Sequence, residues 1–152
     1  SGIIVKGLYD VAVHFSKCCS PVPGDEIVGF VTRGRGITIH RTDCINVLNL
    51  PEIERSRLID AEWQGVEEDN SAATYSTEIS IFANNRIGMF VDISKIFTER
   101  EIDIKAMNSR VNKQGKATIT MSFDIHGIEE LNNLMAKLRQ IDGVLDIERT
   151  TG

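Results

Sequence analysis

The chain lacks any apolar run long enough to cross a bilayer. Its longest, such as Gly2–Val5 and Ile79–Ala83, are far short of the roughly 20 residues a spanning helix needs. No basic segment leading into an apolar stretch opens it, so neither a secretory signal nor a membrane partner is expected. It begins Ser-Gly without Met, which reads as one piece of something larger. Cysteine is absent from the last 108 residues: Cys18, Cys19 and Cys44 all fall early. An odd count in a signal-less chain argues against a disulfide framework and for a reducing, cytoplasmic setting. Strong charge of either sign is missing too. The net charge is −5, with 7 basic and 11 acidic groups in residues 1–70 and 10 and 11 in residues 71–152, so neither half is a generic polyanion binder. There is no G-x-x-x-x-G-K-[ST] loop and no G-x-G-x-x-G fingerprint, and nothing assembles a nucleophile, a base and an oxyanion site.

What is present divides at a polar, acidic stretch, Gln64–Thr74 (QGVEEDNSAAT), which has a linker's composition. The expected organisation is a small β-rich module over 1–66, a linker over 67–73 and a second module over 74–152. In the first module, Gly2–Gly7, Val11–Phe15, Ile27–Thr32, Ile37–His40 and Arg57–Trp63 have strand-like patterns. Pro21-Val22-Pro23-Gly24-Asp25 is a dense turn signal, and Thr42 or Asp43 could cap a short helix to about Leu48. In the second module, Tyr75–Ala83 alternates as a half-buried strand, and Phe90, Ile93, Ile96 and Phe97 mark one helical face over Met89–Glu101. Ile104–Val111 and Lys116–Ile125 are strands joined by Asn112-Lys113-Gln114-Gly115, Ile128–Ile141 is a second amphipathic helix, and Val144–Arg149 closes the module. The expected fold class is α+β, with the second module a ferredoxin-like βαββαβ unit whose helices share one sheet face.

Three places carry candidate chemistry. Cys18, Cys19, His40 and Cys44 have the donor types of a Cys₃His zinc site, although there is no C-x₂-C pair. His40 and Cys44 stand at i, i+4, so a helical turn would aim both at one point. A metal centre, a redox-active vicinal pair and buried structural thiols all stay open, with His14 as a substitute ligand. From Val28 to Thr42 there is no acidic residue, while Arg33, Arg35, His40 and Arg41 cluster among glycines. That segment is either a solvated loop or a small RNA-facing patch. The turn Asn84–Phe90 feeds a helix N-terminus, where free N–H groups favour a carboxylate and Gly88 allows close approach. Turn chemistry alone favours the simpler alternative, a turn capped by Asn with Gly for its geometry.

Two strings narrow these readings. Asn85-Arg86-Ile87-Gly88-Met89-Phe90 followed by Ile102-Asp103-Ile104 resembles the ACT domain, a family that senses amino acids and other small metabolites between paired domains. The resemblance implies a ligand site made of Asn85, Arg86, Gly88, Met89 and Phe90 of one copy with Asp103 and Ile104 of the other. Ile87 stands where metabolic-enzyme relatives often carry Pro. The 28-residue string Lys17–Cys44 (KCCSPVPGDEIVGFVTRGRGITIHRTDC) resembles the conserved-cysteine, zinc-finger or RIS module of the long RelA/SpoT homologues, which an ACT domain follows directly. Those proteins are bifunctional (p)ppGpp synthetase/hydrolases of the stringent response, with catalytic domains upstream. No His-Asp hydrolase motif occurs here, so the chain is expected to be non-catalytic. The resemblance implies a regulatory region that tunes synthesis against hydrolysis. It would do so through homodimerising ACT domains, an amino-acid ligand, zinc in the cysteine module, and ribosomal RNA against Arg33, Arg35, His40 and Arg41. Apolar Met89, Phe90 and Ile104 suggest a branched-chain amino acid. The competing expectations are a purely structural dimerisation and RNA-binding module with no small ligand, and a free-standing cysteine enzyme.

Overall fold

The computed structural model describes residues 2–6, 11–64 and 73–150. The expected linker, 67–73, lies outside them apart from Ala73. In the first module, β1 (Ile3–Val5), β2 (Val13–Phe15), β3 (Ile27–Val31), β4 (Ile37–Arg41) and β5 (Leu58–Trp63) form one sheet in the order β1-β5-β3-β4-β2. All its pairs are antiparallel except β2 with β4. Alternation puts Ile37, Ile39 and Ile27 inward with Val5, a small core made of the apolar half of each strand. The Arg33–Gly36 turn works because Gly34 and Gly36 take φ of 87° and 77°.

Two details depart from expectation. Helix α1 (Ile45–Leu48) is capped by Cys44, with extended backbone and no side-chain bond, rather than by Thr42 or Asp43. A 3₁₀ turn over Glu52–Arg57 precedes β5 and claims Arg57 from the expected strand. Its six residues, EIERSR, bury no side chain, so no apolar period announced it.

The second module is β6 (Tyr75–Asn84), α2 (Met89–Glu99), β7 (Ile104–Val111), β8 (Lys116–Ile125), α3 (Ile128–Arg139) and β9 (Val144–Arg149), the expected βαββαβ order. The antiparallel sheet runs β7-β8-β6-β9. Both helices cover one face: Met89, Ile93 and Phe97 of α2 and Leu131, Leu134 and Leu138 of α3 meet Ile79, Ile81, Ile119, Met121 and Phe123. Each such side chain contributes about 1.5–3 kcal/mol on leaving water, so this stripe dominates the module's stability. The N-cap of α2 is Gly88 at φ 86°, not an asparagine. Strand β7 is an edge, and Lys105–Val111 is exposed throughout.

The modules are tightly joined. Val22 is fully buried within the second module's core, and Ile128 N–H donates to Pro23 O at 2.8 Å. Arg149 grips Asp25 through both guanidinium termini, at 2.7 and 2.8 Å. Phe15 stacks on Trp63 with Tyr75 edge-on to both, all centroids 5.6 Å apart.

Candidate functional site

Adjacent side chains on a regular strand point to opposite faces, so Cys18 and Cys19 can converge only off one. They do so in a turn after β2, followed by Ser20 in the left-handed region at φ 49°. His40 comes from β4, and a tight turn in which Cys44 N–H bonds Arg41 O carries Cys44 back over it. This corrects the expected helical i, i+4 pair: the two ligand atoms meet through a strand end and a cap. The four ligand atoms lie within 4.8 Å of one another. Cys18 Sγ is 3.4 Å from Cys44 Sγ and 3.6 Å from His40 Nδ1, and Cys19 Sγ is 3.9 Å from His40 Nδ1. Tetrahedral zinc with thiolate bonds near 2.3 Å would hold its sulfurs about 3.8 Å apart, so donor set and spacing both fit. His14 is exposed on β2 and does not join the cluster.

In the metal-free cluster burial works against charge at every member, and at Cys18 alone hydrogen bonding overcomes it. Burial pushes the Cys19 thiol up to about 12 and raises Cys44 as well. Burial opposes ionisation of Cys18 too, but hydrogen bonding from Ser16, Asn46 and Cys44 outweighs it and its pKa falls. Burial lowers His40, keeping the imidazole neutral and ready to ligate. The Arg41 backbone N–H donates to Cys19 Sγ at 3.3 Å, a bond that a thiolate would strengthen.

The arginine patch splits. Arg33 and Arg35 stand exposed at the β3–β4 turn, which Thr32 pins by donating to Gly36 O at 2.7 Å. Arg57, not singled out by sequence, sits with its guanidinium 4.7 Å over the Phe30 ring, donates to Val31 O at 2.9 Å and pairs with Glu54. Arg41 does not belong to this surface. It is 6% exposed, donates to Cys19 O and Thr150 O, and pairs with Asp43 at 2.6 Å. His40 is directed into the thiol cluster instead of outward.

At the β6–α2 turn, Asn85 is exposed and Gly88 holds the backbone open. Arg86 is committed: it donates to Asp142 O at 2.9 Å and pairs with Asp92 at 2.7 Å. Met89 is 1% exposed and belongs to the core, so it does not line a surface pocket; Ile87 is fully exposed and Phe90 partly so. Asp103 is exposed and pairs with Lys105 at 3.2 Å, and Ile104 is half-buried. Helix α2, with 11 residues, spans about 16 Å between the Asn85 and Asp103 ends. One ligand could touch both ends only if a second copy supplied one of them.

Residues 3–64 match the RelA/SpoT RIS domain and residues 71–149 match the ACT domain. The chain is similar to the GTP pyrophosphokinase of Escherichia coli (strain K12), 36% identical over 151 residues, 99% of this chain and 20% of that protein. It is also similar to the GTP pyrophosphokinase of Streptomyces coelicolor, 32% identical over 150 residues, 99% of this chain and 17% of that one. Among solved structures, the ACT domain from GTP pyrophosphokinase of Chlorobium tepidum matches 51% of this chain and 99% of its own, at 25% identity and a TM-score of 0.46. The chain spans about a fifth of the length of the curated relatives it matches. With the two domain matches in tandem and covering nearly every residue, the chain belongs to the RelA/SpoT family and carries its RIS domain followed by an ACT domain.

Proposed function

We propose that this chain is the non-catalytic regulatory region of a cytoplasmic GTP pyrophosphokinase that also hydrolyses its (p)ppGpp product. Upstream domains would do the chemistry, and this region would shift the balance between the two activities. The observation that carries the reading is the end-to-end match of a RIS–ACT tandem to about a fifth of proteins bearing that name. Among the described residues the one cluster with metal-ligand chemistry is Cys18, Cys19, His40 and Cys44. Zinc bound there would supply a structural cross-link between the Cys18–Cys19 turn, β4 and the start of α1. Arg33 and Arg35 are the exposed cations for ribosomal RNA, since phosphate recognition needs accessible guanidinium groups.

In the ACT domain, the exposed β7 edge suits pairing with a second copy. Asn85, Gly88 and Phe90 of one copy with Asp103 and Ile104 of the other would hold an amino acid, a branched-chain one in the simplest case. A regulatory effect then follows from a population shift, because ligand and ribosome would favour different arrangements of the region. Calorimetry of the chain with valine, leucine and isoleucine tests this. Heat that Asn85→Ala abolishes supports it, whereas silence with all three sinks it.

A second reading has its own support. Arg86 is spent on Asp142 and Asp92, and Met89 fills the core, which leaves few groups at the turn to hold a small molecule. On that reading the ACT sheet only dimerises while the RIS domain grips RNA. Sedimentation independent of added amino acids, with RNA affinity lost in Arg33→Glu/Arg35→Glu, would favour it.

A further inference from the structure

A slot of ≈440 Å³ opens between the two domains, away from the β6–α2 turn. Its origin lies in the register of the ACT sheet. Strand β9 pairs with β6 from Ala83 to Ile79, and Thr150 N–H reaches Glu78 O at 3.2 Å. From Tyr75 to Thr77, β6 keeps β8 on one side and has no strand on the other among the described residues. The RIS turn that carries Cys18 and Cys19 stands there instead. Phe15, Lys17 and Ser20 of one domain therefore face Tyr75, Ser76 and Glu78 of the other. The Phe15–Trp63–Tyr75 stack and the Arg149–Asp25 pair hold these walls in place.

The chemistry of the walls selects the ligand. Lys17 is exposed and forms no ion pair among the described residues. Glu78 is partly buried and accepts one bond, from the Thr150 hydroxyl at 3.2 Å. A phosphate or nucleotide would meet the Glu78 carboxylate, and a metal cation would meet the Lys17 ammonium. A small zwitterion satisfies both, with its carboxylate on Lys17 and its ammonium on Glu78. Serine hydroxyls from both domains add donors and acceptors, and the Phe15 and Tyr75 rings offer apolar surface for a side chain. Thr77 lines the same slot, 1% exposed, with its hydroxyl unpartnered. The volume lies in the range of small-molecule sites, about 300–1,000 Å³.

We propose that this interdomain slot is a further binding site for a free amino acid, separate from the β6–α2 turn. The inference rests on the amino-acid-sensing reading above and adds a site within one chain to it. A ligand seated there bridges ACT strand β6 and the RIS turn that carries Cys18 and Cys19. It therefore reports amino-acid level to the RNA-facing domain directly, within one chain.

The test is calorimetry of the zinc-loaded chain with each of the twenty L-amino acids, followed by the best binder against three variants. Glu78→Gln and Lys17→Met each remove one charge, and Ser76→Trp fills the slot while keeping both. Loss of a charge-assisted hydrogen bond predicts affinity weakened about tenfold or more in the first two. Ser76→Trp should abolish binding at the slot and leave any heat that depends on Asn85, with melting temperatures unchanged throughout. Native affinity in all three variants, with loss only in Asn85→Ala, would overturn the slot and leave sensing at the turn intact. No heat from any amino acid overturns both.

Discussion

Cys19 and His40 share a cluster but respond to pH in opposite directions. In the metal-free protein the Cys19 thiol sits at about 12 against an ordinary 9.0, because burial penalises the thiolate. A raised pKa contributes stability that is complete below pH 9.0 and disappears as pH rises toward 12. His40 is lowered from 6.5 by burial, so its contribution is complete above pH 6.5 and is lost as pH falls through the lowered value. Chelator-treated protein should therefore resist urea best between those limits and weaken on both sides. Saturating zinc should remove the alkaline decline, since the bound state requires the thiolates. Urea midpoints across that pH range, with and without zinc, check this; an alkaline decline that zinc leaves intact would exclude the thiols as ligands. Arg41 shows what was legible at this scale. The strand ITIHR alternates inward at Ile37 and Ile39, and the same period buries Arg41 and leaves His40 on the opposite face, half-buried against the thiols. Ending the strand at His40 hid that parity and assigned Arg41 to the RNA surface.

The turn Pro21–Asp25 was legible as a turn, but not as the element that joins the domains. Helix and strand periods report which face of an element is buried, and nothing in them says that a loop's Val22 fills another domain's core. The two helices of the ACT domain were readable because each carries one apolar stripe, whereas the 3₁₀ turn Glu52–Arg57 buries nothing and left no trace. Gly24 is where the wedge has least room. It holds φ 99°, and a Cβ there would lie 2.1 Å from Ile128 Cγ2. Gly24→Ala should cost about 1–3 kcal/mol, since overpacking and a left-handed backbone both act against it. Gly34→Ala is the control: its φ of 87° is similar, but a Cβ there meets nothing within 4 Å. Urea melts should show Gly24→Ala as the more damaging of the two. Equal losses would mean that backbone strain alone, not the fit of the wedge against α3, sets the cost.

At the scale of the molecule, the question is whether RIS and ACT domains melt separately. Sequence composition suggested two modules on a linker, and a linker predicts independence. The Arg149–Asp25 pair predicts the opposite. Its side chains are 9% and 8% exposed, and Arg149 also donates to Ser20 O at 3.2 Å, one residue from Cys19. Removing one partner of such a buried pair leaves an uncompensated charge, at about 3–5 kcal/mol, whereas replacing both with apolar groups is often close to neutral. Here the replacement will be incomplete, because Asp25 also accepts the Val22 N–H at 2.8 Å. Native protein should therefore give one cooperative urea transition, seen alike by far-ultraviolet dichroism and by Trp63 fluorescence. Trp63 is a suitable reporter because it stacks on Phe15, meets Tyr75 edge-on and donates to Asp25 O at 3.0 Å. Arg149→Met should shift the Trp63 transition to lower urea and separate it from the dichroism signal. Asp25→Leu added to Arg149→Met should recover part of that loss, because no charge is then left buried alone. If Arg149→Met leaves the two signals coincident and the midpoint unmoved, the domains are joined by the Val22 wedge and the aromatic stack without help from the ion pair.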